Sequence, residues 1–362
     1  MALVCLYLSS LSTATPVAGQ QVVHNPEKPL AKNAARTIAL KEVLRIKDDG
    51  KETNFRGPYD LHVGENGVIY FYDEFVLHEF DETGKLMAKM VKPGQGPGEA
   101  GMRTTAVIMK DKIIVLAISP PKLMVFDRAG RLLEEVKTDV MHTYGHFGLG
   151  GKMYVFRMDL PAFGQRPVNG GEIDVPITLA EFLPDFRKIK DIAEFPRRFY
   201  FVNQGIWYEW TGFGYALIEP DQICIHHTTE YKIIQFNMAR NAVERIIDRK
   251  YKRINRPEDP PDKRPRGYAL PYQKYYDDIR ALLSRGDMLW AVTSTKNDQK
   301  NRLVDVFDKV GRYIDCFYLK FPDGFEERYF YQGRAALRGD FLYIVDTDLE
   351  GFKSIGKYRI ED

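Results

Sequence analysis

One arrangement of apolar and polar positions recurs along this chain: a tight polar or glycine turn, an apolar strand, a variable loop, a second strand ending in an aromatic residue, and a short Asp/Asn/Gly turn. GVIYFYD from Gly67 with LHEFDETGK from Leu77 is the first copy, and KIIVLA from Lys112 with LMVFDRAGR from Leu123 is the second. GKMYVFR from Gly151 with LAEFLPDFRK from Leu179 is a more degraded third. DQICIHH from Asp221 with IIQFNMARN from Ile233, GDMLWAVTS from Gly286 with VDVFDKVGR from Val304, and GDFLYIVD from Gly339 with IGKYRIED from Ile355 follow. The aromatic anchors Phe80, Phe126, Phe182, Phe236, Phe307 and Tyr358 stand 46, 56, 54, 71 and 51 residues apart. Repeats of this length with four short strands each match the blade of a β-propeller. The expectation is an all-β, six-bladed β-propeller over residues 36–362. Its last copy ends after a third strand, while Thr37 to Lys47 (TIALKEVLRIK) is an orphan strand-like run. The N-terminal run is therefore expected to pair as the outer strand of the last blade, closing the ring and hiding a sheet edge.

Connection lengths then separate two faces. Turns between first and second strands and between third and fourth strands share one face and are uniformly tight, as in DETGK, DRAGR and DKVGR. The opposite face receives the long connections, residues 157–176 and 252–276, of lengths that inside a domain usually signal function or disorder. Trp207 and Trp210 fall in one connection on that face and Tyr272 and Tyr275 in another, with arginines between them. Large rings interleaved with arginine suit a glycan, a peptide or a partner protein; the competing reading has the same rings sealing gaps between blades.

Charge narrows the partners. With 52 Lys+Arg against 50 Asp+Glu the net charge is +2, which disfavours nucleic acid and an anionic membrane surface. The basic stretch Arg249 to Tyr276 reads as a Pro-stiffened interblade loop or a contact for an anionic glycan. Residues 1–19 carry no charge and pass from apolar to small residues, the pattern of a secretory signal with Val17-Ala18-Gly19 at its cleavage site. An extracytoplasmic location, a linker over 20–35 and a monomeric propeller are expected. Cys5 reads as an ordinary residue of the signal, so membrane contact would need lipidation that its sequence context does not favour. Cys224 and Cys316 lie in strand-like runs of different repeats, hence two buried free thiols rather than a bridge.

Catalytic templates find little footing. Gly96, Gly98 and Gly101 satisfy a dinucleotide fingerprint formally, but a strand pattern follows where a helix is needed. Asp346, Asp348 and Glu350 begin like a calcium loop, yet Lys357 occupies its twelfth position. No GxSxG, HExxH or P-loop is present, and no catalytic or metal-ligating residue is assigned. His62, His142 and His146 are candidates for the central channel, and Asp60, two residues before His62, would share its strand face.

The F-D-x-x-G turns, the strand pairs before them, GQGPGE from Gly94, EYKII from Glu230 and the terminal KYRI resemble the NHL-type, six-bladed β-propellers exported by many bacteria. That resemblance implies a fold over the mature chain and no particular activity. The reading taken forward is a binding or interaction module without a cofactor. Its rival is a lactonase- or lyase-type enzyme with one divalent metal held in the channel by Asp60, His62, His142 or His146.

Overall fold

The computed structural model describes residues 21–361 apart from 49–52, 54, 65, 102–103, 139–142, 159–170, 184–185, 187–188, 203–205, 210–211, 219, 258–272, 323–332 and 348–350. For 104, 202 and 206–209 it describes the backbone. All helix and strand assignments among these residues are strand, arranged as antiparallel meanders in a propeller-like fashion. Tyr59–Val63, Ile69–Asp73, Val76–Phe80 and Leu86–Met90 form the first sheet. Thr104–Ile108, Lys112–Ile118, Pro121–Asp127 and Leu132–Lys137 form the second. The third contains Thr143–Leu149, Lys152–Met158, Gly171–Phe182 and Ile189–Val202, extended by Ile206–Glu209. Gly214–Ile218, Gln222–His226, Lys232–Asn237 and Ala242–Arg249 make the fourth. A fifth sheet has eight strands in the order Ile279–Arg285, Met288–Lys296, Arg302–Phe307, Tyr313–Lys320, Arg36–Lys47, Lys353–Glu361, Phe341–Thr347 and Ala335–Arg338.

Burial explains why these runs become strands. Lys112–Ile118 and Pro121–Asp127 are each buried at five consecutive positions, whereas Leu132–Lys137 beside them buries only Val136. A continuous apolar run is the pattern of a strand covered on both faces, and here the covers are the neighbouring sheets. Tyr70, Tyr72, Ala106, Val115, Met124 and Phe126 fill the space between the first and second sheets. Each large side chain removed from water in this way contributes about 1.5–3 kcal/mol. The six aromatic anchors are all buried, each in the third strand of a four-stranded meander or its counterpart in the eight-stranded sheet.

The recurring turn has a local cause. Asp81, Asp127 and Asp308 each accept on Oδ1 the amides two and four residues ahead. Gly84, Gly130 and Gly311 follow at positive φ, where glycine pays no Cβ penalty. The ladder shifts register just before each turn, at Glu79/Phe80, Val125/Phe126 and Val306/Phe307.

Arg36–Lys47 runs antiparallel to Lys353–Glu361, with Leu40 opposite Ile360 and Ile46 opposite Ile355, so the N-terminal run does lie beside the C-terminal strand. Its start also pairs in parallel with Tyr313–Lys320, from Arg36 opposite Phe317 to Ala39 opposite Lys320. Two expectations need correction. Within the segment 20–35, expected as a linker, Gln21–Asn25 is a strand lying parallel to Ala242–Arg249. The Asn25 amide anchors it there, donating to Gly311 O and accepting from Tyr313 N. The expected connection 157–176 is shorter, because Gly171–Phe182 and Ile189–Val202 continue as a long hairpin. Phe199 and Phe201 consequently belong to a strand and to the apolar cluster around Phe156 and Phe195, which is why the chain there is ribbon and not loop. Cys224 and Cys316 are buried and unpaired. Gly96 and Gly98 lie in a turn that leads into Glu99–Ala100, which pairs in parallel with Lys92–Pro93, and the Glu99 carboxylate accepts from Gly96 N at 3.0 Å.

Candidate functional site

The first strands of the meanders face one another. Tyr59–Val63 packs on Thr104–Ile108, and that strand on Thr143–Leu149; Ile279–Arg285 touches Gly214–Ile218 and Ala335–Arg338, and the last returns to Tyr59–Val63. At the beginnings of these strands lies a cavity of about 710 Å³. The connection 252–276 leads into the first strand Ile279–Arg285, so its face is the face of the cavity. The described ends of that connection pair beside it: Asn255 bridges Tyr275, Arg256 N donates to Lys274 O, and Tyr276 N to Ile254 O. Arg256, Gln273 and Tyr276 enter the cavity wall from its two ends.

Three sequence candidates meet in that wall. His62 Nε2 stands 3.0 Å from Asp60 Oδ1, and His146 Nε2 stands 3.4 Å from Asp60 Oδ2. Simple alternation does not bring them there. The first strand loses register between Tyr59 and His62, and Asp60 has φ 54°, a left-handed conformation that Asp tolerates better than most residues. Such a bulge re-aims side chains. Oδ2 of Asp60 also accepts Ala106 N at 2.9 Å, from the next sheet. His146 lies just past a second register break, between Thr143 and Gly145. Its backbone is clasped by Tyr215, whose hydroxyl donates to His146 O at 2.8 Å and accepts from His146 N at 3.2 Å. A Cβ on Gly145 would lie 2.2 Å from the Tyr215 ring, so only glycine lets that ring come so close.

Electrostatics follow from burial and proximity. Burial alone would raise the Asp60 pKa, but the charges of His62 and then His146 outweigh it and hold the carboxyl well below the usual carboxylate range. For His62 burial acts downward and the Asp60 charge wins, so its pKa is raised. Desolvation raises the Tyr215 hydroxyl, which stays neutral and able to donate. The ring nitrogens are nonetheless poorly served: His62 Nε2 and both nitrogens of His146 are buried with no hydrogen-bond partner. Asp60 meets both imidazoles as an ion-pair partner.

The remaining wall is cationic. Arg197, Arg256, Arg280 and Arg334 line the cavity with His62 and His146, against the carboxylates of Asp60 and Asp277. Asp277 accepts Gly212 N at 2.9 Å, and burial raises its pKa despite the nearby Arg280. Arg280 Nε is buried without a hydrogen-bond partner, and desolvation lowers the Arg280 pKa. A guanidinium keeps its charge in proteins, so this half-buried cation in the cavity wall suits an acceptor.

The other candidates lie elsewhere. His142, Trp210 and Tyr272 fall outside the described residues. Trp207 sits in Ile206–Glu209, opposite Phe201. Tyr275 is covered by the Arg253 guanidinium at 4.6 Å from its ring centre and is not part of the wall. Tyr215, Arg280 and Arg334 were not foreseen; only their places near the starts of apolar runs mark them in the sequence.

The fold and this axial cavity define the class, an all-β propeller-like protein. No family profile and no curated protein matches the chain. Among solved structures it is similar to an exported-protein candidate from Bacteroides fragilis, at 12% identity and TM-score 0.56, over 94% of this chain and 100% of that one. It is also similar to a DUF4221 family member from Bacteroides vulgatus, at 12% identity and TM-score 0.52, over 90% of this chain and 99% of that one. At such identities the likeness concerns the fold.

Proposed function

We propose that this chain is an exported, six-bladed propeller of the NHL-like type that binds a small anionic ligand in its axial cavity. The blade count rests on reading the eight-stranded sheet as two four-stranded blades joined where Arg36–Lys47 lies between Tyr313–Lys320 and Lys353–Glu361. The spacing of the six buried aromatic anchors favours the same count. Export rests on the signal-like residues 1–19.

The observation that carries the binding reading is the lining itself: four arginines and two histidines against two carboxylates, in a cavity of about 710 Å³. That volume falls in the range of small-molecule sites, about 300–1,000 Å³. Arginine forks recognise carboxylate and phosphate in two-point contacts. A uronate or a sugar phosphate fits this chemistry, and a neutral glycan does not use it. The experiment compares glucuronate, glucose 6-phosphate and glucose by melting temperature and calorimetric titration. The two anions should raise the melting temperature, by an amount equivalent to about 2.7 kcal/mol at a hundredfold excess over Kd, and added salt should weaken them. Equal shifts with glucose, or none with either anion, would discard the reading.

A further inference from the structure

We infer that Asp60, His62 and His146 form a site for one divalent metal ion of the zinc class, set in the wall of the axial cavity. One ligand atom from each residue lies within 4.8 Å of the other two, with nitrogen to oxygen separations of 3.0 and 3.4 Å. Donors bound at about 2.0–2.2 Å to a single zinc stand roughly 3–3.5 Å from one another. The two histidines face different oxygens of Asp60, so a small shift of the carboxylate would bring all three groups onto one ion.

The failure of the hydrogen bonds points the same way. His146 is 2% exposed, yet neither ring nitrogen has a hydrogen-bond partner, and His62 Nε2 has none although a carboxylate oxygen is 3.0 Å away. Orphaned buried nitrogens are costly. Both ring nitrogens of His146 and Nε2 of His62 are thus free of a well-aligned donor or acceptor in the cavity wall and available to an ion.

The cluster is also held in place. A register break and the left-handed Asp60 aim the first pair, Ala106 N fixes the Asp60 oxygen, and Tyr215 grips the backbone of His146 on both sides. The backbone of His146 and the carboxylate of Asp60 are thereby fixed before any ion binds. Two imidazoles with one carboxylate suit zinc and its transition-metal neighbours, while calcium and magnesium favour all-oxygen shells. Three protein donors leave a coordination position open. It would face the arginine-lined cavity, so an anion held by Arg280 could complete the shell. This deepens the axial-cavity reading but does not require it, since a metal can bind whether or not an anion follows.

The test uses the full mature chain, stripped with a chelator and titrated with zinc against a chromophoric competitor, and separately with cobalt(II) followed by visible absorption. One zinc per chain is expected, with cobalt bands of a low-symmetry site. His62→Gln and Asp60→Asn should each weaken zinc by about a hundredfold or more, since even loss of an outer partner costs about 10–100-fold, and should abolish the cobalt bands. Both variants spare the buried His146, and asparagine accepts the left-handed backbone at 60. Arg280→Ala should leave zinc affinity measured without added anion unchanged while weakening anion binding about tenfold, which separates failure of the metal from failure of the anion reading. Substoichiometric zinc in the wild type, or equal zinc binding in both variants, would show that these three groups form only an ion-paired network.

Discussion

Two buried polar clusters in this protein use similar groups to opposite ends. Between the fourth sheet and the eight-stranded one, Asp305 is fully buried and accepts hydroxyl hydrogen bonds from Tyr231 and Tyr313, each at 2.7 Å. Arg249 stands 2.9 Å from its Oδ2, donates to Glu27 O, and is enclosed by the rings of Tyr231, Tyr251 and Tyr313 at 5.3, 5.2 and 4.8 Å. Burial pushes the Asp305 pKa up and the Arg249 charge partly offsets it. Arg249 Nε makes no aligned hydrogen bond, but its charge is met by the Asp305 carboxylate and by three enclosing rings of the same chain. In the axial cavity Asp60 is paired with two histidines, but among the described residues Arg280 has no ion-pair partner. A buried cation held by a carboxylate of its own chain is architecture, whereas one without such a carboxylate in a cavity wall is a place for an anion.

The strongest way to break this comparison is to damage the satisfied cluster. Asp305→Ala leaves Arg249 buried without its counter-ion, a loss of about 3–5 kcal/mol. Urea denaturation should show it, and zinc and anion titrations of the surviving folded fraction should not change. Loss of cavity binding at unchanged stability would mean the two clusters are not separate in function.

Acid is the next lever. Burial, then the charges of His227 and Arg197, pushes His226 down to about 3. A histidine depressed in the fold supports stability above its ordinary pKa of 6.5, and that support is lost as pH falls towards the folded value. Between pH 6.5 and 4 the loss from this residue is about 3 kcal/mol, at about 1.4 kcal/mol per pH unit. Chemical denaturation across that range should flatten in His226→Gln. An unchanged slope would place the acid sensitivity elsewhere.

A smaller effect is expected at Gly145. Alanine there collides with the Tyr215 ring, whose nearest carbon would be 2.2 Å from the new Cβ. Overpacking of this kind costs about 1–3 kcal/mol. Because Tyr215 holds the backbone of His146, Gly145→Ala should also weaken zinc by about tenfold, measured in the same competition assay. Full zinc affinity would show that the clasp is not needed.

The repeat was legible because its causes are local. The anchor Phe80, the Asp81 side chain and Gly84 make their turn within a few residues, and the same chemistry returns at Phe126 and Phe307. The partner of Thr37 to Lys47 was legible as well, since an orphan strand and an incomplete copy complement each other. The docking of Gln21–Asn25 was not, because it depends on the Asn25 side chain meeting Gly311 and Tyr313 nearly three hundred residues away. Asp60 and His62 could be paired from their spacing, though the strand reaches that pairing through a bulge that no hydropathy pattern reports. Tyr215 and Arg280 were invisible for a related reason: an arginine before ALLS and a tyrosine in FGYALI look like any strand residue until the first strands are set side by side.

The smallest stability change should come from Arg280→Ala, and it sharpens the contrast most. If Arg280 served the fold as Arg249 does, its removal would cost several kcal/mol. Unlike Arg249 with Asp305, Arg280 has no ion-pair partner among the described residues and its charge is desolvated, so alanine removes a penalty along with the packing of the side-chain stem. The two nearly cancel, and the denaturation midpoint should move by no more than about 0.5 kcal/mol, the range of substitutions that break no satisfied network. Anion affinity should fall about tenfold, equivalent to about 1.4 kcal/mol. A loss of 2 kcal/mol or more in stability with anion binding intact would assign Arg280 to the framework and leave the cavity without its principal anion contact.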